Sequence, residues 1–364
     1  MASEPGIDVG TQARRVLEDG RASRVYPAAV AEAGSSAGVG WRHATGRLTF
    51  DEDAPSVSAG TIFDLASLTK VIAATTVAMG LVERSLLDLD RPLRECLGGW
   101  DGGDRRAVCL ADLLEHAAGL PAWAPLFETC TGREEFSRAI AAIDLACPPR
   151  TRSIYSDLGF MLLGFVMEDA GGAPLDEQFA PMASALGLTG LDALVFQPPR
   201  TWRSRIAPTR VDPWRDRLLV GEVDDGNAAA LGGVAAHAGL FGTVGAVGAF
   251  ARWLLHAMRQ APQGPPPVVG PAVLRRFLAK SAVPGSSRAL GWDTMLTSSS
   301  CGTRMSPAAI GHTGHSGTSL WIDPARDFYA VLLTNRVYPG GGSSDAIRGV
   351  RRAFHDALLA GRPV

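Results

Sequence analysis

Phe63-Asp64-Leu65-Ala66-Ser67-Leu68-Thr69-Lys70-Val71-Ile72-Ala73 sets a hydroxyl and an ammonium three residues apart at the head of an apolar run. The almost uncharged stretch that continues through Val82 predicts a helix opened by Ser67, and residues at i and i+3 of a helix share a face. Ser67 at a helix N-terminus also turns its own N–H outward, where developing negative charge is stabilised. Lys70 breaks a local rule: a first-turn cation opposes the helix dipole, and the apolar residues after it point to burial. The residue type is itself informative. The chain holds 35 Lys and Arg, and only Lys70 and Lys280 are lysine. A guanidinium stays protonated, whereas an ammonium can release a proton and act as a base. The plainer alternative is a Ser N-cap followed by a stray lysine, and an S-x-x-K spacing by itself is compatible with either.

Two further stretches carry reactive side chains. In Ile154-Tyr155-Ser156-Asp157-Leu158-Gly159-Phe160, one of only 4 tyrosines precedes an apolar helix. A phenol beside an ammonium can lose its proton and serve as a general base; alone, the stretch reads as a core-edge Tyr before a helix capped by Ser156 or Asp157. In Ile310-Gly311-His312-Thr313-Gly314-His315-Ser316-Gly317, glycine recurs every third position, which in a strand marks close approach of another backbone or a ligand. A backbone N–H here can face that of Ser67 and complete an oxyanion hole; a glycine-rich strand end with two solvent histidines is the alternative. A His312/His315 metal pair is disfavoured, since no acidic or Cys partner shares the spacing.

Around these stretches the chain is organised symmetrically. Val9, Ala13, Val16 and Leu17 predict a first amphipathic helix. Residues 26–33 and 39–44, joined by Gly34-Ser35-Ser36-Ala37-Gly38, predict a hairpin. Residues 320–323 and 328–335 flank Pro324-Ala325-Arg326-Asp327 and predict a second one. A closing helix follows Ser344, with Ile347, Val350, Phe354 and Leu358 on its apolar face. From Ser85 to about Leu240, helical segments alternate with loops and strands are scarce. Ala261-Pro262-Gln263-Gly264-Pro265-Pro266-Pro267 is a surface connector. At 364 residues the chain exceeds the roughly 250–300 at which one core stops growing. The expected fold is α/β (α+β): one central antiparallel sheet built from both chain ends, flanked by terminal helices, with an inserted mostly helical lobe. The expected division is a discontinuous α/β domain, 1–84 with 241–364, and a helical domain, 85–240.

Composition excludes several classes. With a net charge of −2, 46% hydrophobic and 20% charged residues, there is no electrostatic case for nucleic acid or an anionic membrane surface. No run reaches the roughly 18 apolar residues of a membrane span. The odd count of 5 cysteines without metal-type spacing reads as reduced thiols. With no signal peptide evident, a cytoplasmic location is expected, or a periplasmic one if an export signal has been removed.

Taken in order, Ser-x-x-Lys, Tyr-Ser-Asp and His-Thr-Gly resemble the penicillin-recognising serine hydrolases, whose related S-x-x-K, S-D-N and K-T-G set is a known catalytic signature. The resemblance is to the branch holding class C β-lactamases, DD-peptidases with His-Thr-Gly and related esterases, and it covers roughly residues 26 to 359. Asp112-Leu113-Leu114-Glu115-His116-Ala117-Ala118-Gly119-Leu120-Pro121, the run from Gly232 to Phe241 and the run from Gly311 to Pro324 look like the same branch. The resemblance implies a β-lactamase/transpeptidase-like fold. It implies Ser67 as the acylated nucleophile and Lys70 with Tyr155 as base and acid. The N–H groups of Ser67 and His315 would form the oxyanion hole, and His312 and Thr313 would contact substrate. Asp157, Gly314 and Trp321, the last near His315, complete the expected substrate-binding set. His116 and His237 are expected to support loops, and Glu222-Val223-Asp224-Asp225 to form a solvated acidic turn at the rim.

The expected function is hydrolysis of a small amide or ester, such as a D-alanyl peptide or ester, through a Ser67 acyl-enzyme. A true β-lactamase is one alternative; a penicillin-type receptor that acylates without turnover is another. No metal or organic cofactor is expected, and the partner is a small-molecule substrate of a monomer or weak homo-oligomer. Two departures push away from efficient β-lactamase work. Asp157 stands where the family commonly has Asn, and a carboxylate accepts but cannot donate; it can instead pair with Lys70, holding the ammonium charged and favouring Tyr155 as the base. His312 stands where class C enzymes have Lys, and a neutral imidazole is a weaker anion anchor.

Overall fold

Both ends of the chain feed one sheet. The computed structural model describes residues 9–190, 192–259 and 269–361; the connector expected at 261–267 lies outside the described residues. From the N-terminus, α1 (Val9–Ala22) leads into β1 (Ala28–Ser35), β2 (Gly38–Gly46) and β3 (Phe63–Asp64). Helices α2 (Thr75–Glu83), α3 (Leu110–Leu114), α4 (Gly132–Ala142), α5 (Asp157–Gly171) and α6 (Leu175–Ala185) follow. Then come β4 (Leu194–Phe196), β5 (Val211–Asp212), β6 (Arg217–Leu218), α7 (Gly226–Ala230) and β7 (Leu240–Gly242). The chain closes with α8 (Val244–Arg259), α9 (Pro271–Leu278), β8 (Asp293–Thr294), β9 (Ile310–Thr313), β10 (Ser319–Asp323), β11 (Phe328–Thr334) and α10 (Ser344–Leu358).

The main sheet runs β2-β1-β11-β10-β9-β8, antiparallel throughout. Strand β1 lacks polar alternation because both of its faces are covered. Ala29, Ala31 and Ala33 meet Ala13 and Leu17 of α1 and Phe354 of α10. Val30 joins Val331, Leu333 and the α8 residues Phe250 and Leu254 on the other face. Glu32, fully buried on that second face, accepts hydrogen bonds from Tyr329 Oη at 2.7 Å, Arg252 at 3.1 Å and Arg42 Nε at 2.8 Å. A buried carboxylate is tolerable only when paired in this way. Two small sheets escaped the sequence reading, β3-β7-β4 and the hairpin β5-β6, because strands of two or three residues are too short to show a period.

Strand parity overturns one expectation. Trp321 pairs with Gly311 across the β9–β10 ladder and is fully buried in the cluster under α1 and α10. Its neighbours Leu320 and Ile322 point to the opposite face, as does His312, which is registered with Leu320. Side chains alternate faces along a strand, so Trp321 faces away from the side on which His312 sits. A Cβ at Gly311 would lie 2.2 Å from the Trp321 ring and 2.5 Å from the Leu320 carbonyl oxygen; the indole and that carbonyl together require glycine there.

Candidate active site

The segment carrying Ser67 is clamped from several directions. Asp64, at the end of β3, accepts the Ala66 N–H on one carboxylate oxygen at 2.8 Å and the Asp224 N–H on the other at 2.7 Å. Ala66 takes a φ of +49°, a conformation a non-glycine residue holds only under such constraint. The strand-end residues complete the clamp: Ser316 Oγ donates to the Asp64 carbonyl at 2.8 Å and Thr318 Oγ1 to the Leu65 carbonyl at 3.0 Å. Gly314 lies against the same backbone. A Cβ there would come within 2.7 Å of the Leu65 carbonyl oxygen and 3.2 Å of the Ala66 Cβ.

Ser67 stands in the turn before the helix, which opens at Leu68. Its first part, Lys70–Ala74, is a π-helix. The widened turn has a local cause: both the N–H and the hydroxyl of Thr75 donate to the Lys70 carbonyl, the hydroxyl at 2.7 Å. Lys70 is fully buried. Its ammonium donates to Ser67 Oγ at 3.1 Å and to the His237 carbonyl at 3.0 Å, and lies 2.6 Å from Asp157 Oδ1 as a close ion pair. Burial alone would push this ammonium toward the neutral form, but the Asp157 carboxylate and the Tyr155 phenol outweigh it and hold its pKa above the usual lysine value.

Tyr155 and Asp157 are placed by the segment 116–122. The Ile154 N–H donates to the His116 carbonyl at 2.9 Å, and the Asp157 N–H to the Ala122 carbonyl at 2.9 Å. Ser156 caps α5 by accepting the Gly159 N–H at 3.3 Å, while its hydroxyl donates to the Pro121 carbonyl at 2.6 Å. His116 Nδ1 accepts the Ser156 N–H at 3.0 Å, and its ring lies 4.6 Å from that of Tyr155. Burial raises the Tyr155 pKa, opposed by the charge of Lys70 and by hydrogen bonding with Lys70 and Ser67.

His312 shows its chemistry through its partner. Nδ1 sits 2.9 Å from the Thr313 carbonyl, which can only accept, so Nδ1 carries the proton. Burial, followed by the charges of Arg288 and Lys70, holds its pKa well below the usual histidine value. The imidazole is therefore neutral and keeps a lone pair on Nε2, an atom without a hydrogen-bond partner among the described residues. His312 accordingly carries no positive charge into the site, and Arg288 supplies one. Arg288 lies 5.2 Å from the Tyr155 ring centroid and lines the same cleft. Sequence reasoning missed it because one arginine among so many carries no local signal.

Ser67, Tyr155, Asp157, His312, Thr313, Gly314 and His315 all line a cleft of about 690 Å³. Lys70 lies beneath it and Trp321 is not part of its wall. Among the described residues the N–H groups of Ser67 and His315 donate to no protein acceptor, which leaves both available to a substrate oxygen. The acidic stretch 222–225 is only in part a solvated turn. Asp224 is buried and paired with Arg210. Asp225 caps α7 and meets His237 Nε2 at 2.8 Å. Low-dielectric surroundings make such pairing necessary. Among the described residues, no group of three His, Cys, Asp or Glu is arranged to hold a metal ion.

A model of the beta-lactamase family matches residues 14–353. An Escherichia coli (strain K12) protein named "Putative D-alanyl-D-alanine carboxypeptidase" is 27% identical over 315 residues, 78% of this chain and 71% of that one. A class C beta-lactamase from Rhodobacter sphaeroides is similar in fold, with a TM-score of 0.73 at 18% identity over 96% of this chain and 99% of that one. So is EstCE1, described as a hydrolase with promiscuous acyltransferase activity, with a TM-score of 0.72 at 20% identity over 95% and 98% of the two chains.

Proposed function

This chain belongs to the beta-lactamase family and is a serine hydrolase, and we propose that it hydrolyses a small ester or amide, a D-alanyl ester or peptide among them, through a Ser67 acyl-enzyme. One observation carries the reading: the Ser67 hydroxyl at the cleft floor is 3.1 Å from the Lys70 ammonium. Attack joins Ser67 Oγ to the substrate carbonyl carbon while the serine proton passes into the Lys70–Tyr155–Asp157 cluster. The carbonyl oxygen gains negative charge between the N–H groups of Ser67 and His315; removing one such donor typically costs ~10²–10³ in rate. The cluster returns a proton to the leaving alcohol or amine as its bond to the carbonyl carbon breaks. Water then repeats the sequence, its proton entering the cluster and returning to Ser67 Oγ as the acid departs.

Arg288 is the proposed anchor for an anionic group on the substrate, in place of the lysine that His312 replaces. Asp157 turns the reading away from penicillin-like amides, because its carboxylate is engaged by Lys70 and cannot donate to a substrate carbonyl. The name of the Escherichia coli relative supports peptidase chemistry, and that of EstCE1, a hydrolase with promiscuous acyltransferase activity, is in keeping with acyl transfer. The test combines a chromogenic ester and a D-alanyl-D-alanine peptide with mass spectrometry of the trapped enzyme. Turnover with an acyl adduct on Ser67, both absent in Ser67→Ala, is expected. Turnover that persists in Ser67→Ala, or no adduct and no turnover of either substrate, would sink the proposal.

A further inference from the structure

The mouth of the cleft is walled by aromatic rings for which the proposed acyl transfer gives no role. Trp123 and Trp214 are 48% and 47% exposed, and exposed tryptophan side chains leave much apolar area in water. Both line the cleft, and so does Phe127 between them, its ring 5.1 Å edge-on from Trp214 and 6.4 Å from Trp123. The three rings come from two separate stretches, the loop before α4 and the β5–β6 turn.

Both stretches are braced. Buried Asn227 accepts the Phe127 N–H and donates to the Ala124 carbonyl, each at 2.9 Å. Gly226 lets the Phe127 ring lie against it, since a Cβ there would be 2.8 Å from the ring. At the hairpin, Asp212 accepts the Trp214 N–H at 2.8 Å, and Arg215 ties the turn to the Val223 carbonyl at 2.8 Å. Trp123 follows Ala122, whose carbonyl accepts the Asp157 N–H, so one wall of this patch is continuous with the segment that places Tyr155.

We propose that Trp123, Phe127 and Trp214 form a preorganised apolar subsite that selects ester substrates with a medium-chain alkyl or aryl acyl group. This rests on the acyl-transfer reading of Ser67 and adds the substrate class to it. Fixed rings bind an apolar chain without the ordering cost that a flexible loop would incur, and each methylene taken from water adds a constant increment of binding. The acyl chain extends toward the rings from the substrate carbonyl carbon that Ser67 Oγ attacks, and the leaving group departs on the other side of that carbonyl.

Two measurements test it. With ethyl esters from acetate to hexanoate, kcat/KM should rise about fourfold per added methylene. The hexanoate-to-acetate ratio should fall about tenfold in Trp214→Ala and in Trp123→Ala, and recover in Trp214→Phe. Independently of turnover, tryptophan fluorescence of Ser67→Ala should respond to ethyl hexanoate and not to ethyl acetate, and the response should weaken when Trp214→Phe is added. A flat chain-length series, or ratios unchanged in both alanine variants, would overturn the subsite. If no ester is turned over, the fluorescence response alone decides: its presence keeps the subsite while the acyl-transfer reading fails, and its absence removes the subsite as well.

Discussion

Lys70 owes its character to its neighbours. A fully buried lysine would ordinarily lose its proton, yet here the ammonium has Asp157 at 2.6 Å and is held in the charged form. Replacing the carboxylate leaves burial as the dominant influence. In Asp157→Asn the lysine pKa should therefore drop, and the ascending limb of the kcat/KM–pH profile should move to lower pH. The same variant gains an amide donor, and acylation by benzylpenicillin should increase. A limb that stays in place, with no gain in penicillin acylation, would show that Asp157 neither sets the charge of Lys70 nor restricts the substrate. Lys70→Arg keeps a cation but not a titratable ammonium. Acylation of Ser67 should fall by ~10² or more, and near-wild-type burst amplitude would remove Lys70 from the proton path. The S-x-x-K spacing and the tyrosine stretch were legible as candidates in the sequence. The charge state was legible only as an alternative, an Asp157–Lys70 pair, because it depends on a carboxylate 87 positions away from Lys70 in the chain.

At the scale of elements, the strand end 311–318 and the Ser67 segment act as one unit. The glycine at 314 brings the two backbones together, and the hydroxyls of Ser316 and Thr318 fasten them. A methyl in Gly314→Ala would press on the Leu65 carbonyl and on Thr318 Oγ1 at 2.1 Å, forcing the strand outward. We expect a loss of about 1–3 kcal/mol in stability, with kcat falling while circular dichroism keeps its native shape. Unchanged kcat would mean that this contact does not position the nucleophile. The three-residue glycine spacing was visible in sequence and read correctly as close approach. What each glycine approaches was not visible: Gly311 meets an indole on one face of the sheet and Gly314 meets the Ser67 segment. Trp321 was placed at the site for its nearness in sequence to His315, and strand alternation sends it to the other face.

The whole molecule keeps several histidines buried and neutral, which links its stability to pH. His355 on α10 is fully buried, and burial pushes its pKa down to about 4 from 6.5. The folded-state value lies below the unfolded one, so between these values the unfolded chain binds more protons. Stability from this residue is complete above pH 6.5 and is lost as pH falls toward 4, by up to about 3 kcal/mol. Asp64 works in the opposite direction: burial and the nearby Asp224 raise its pKa to about 7, so its contribution grows as pH falls from 7 toward its unfolded value. The two are separated by comparison. As pH falls from 6.5 to 4, the melting temperature of His355→Leu should rise relative to that of the wild type, and parallel curves would show that His355 does not titrate on unfolding.

The sequence by itself determined the hairpins at both chain ends, the terminal helices, the sheet they build together and the three reactive stretches. Apart from the sheet, which follows from hairpins lying at both chain ends, each of these is a local pattern of side-chain period, turn residues and spacing, and local patterns are set by backbone sterics within a few residues. The tertiary structure alone decided the rest. It closed the Lys70–Asp157 pair that the sequence left as an alternative, left His312 neutral with Arg288 as the cation beside it, turned Trp321 away from the cleft and brought Trp123, Phe127 and Trp214 to its mouth. Solvation, strand face and charge pairing depend on groups distant in the chain. Arg288 and Trp214 became recognisable only once folding had set them beside Tyr155 and Phe127.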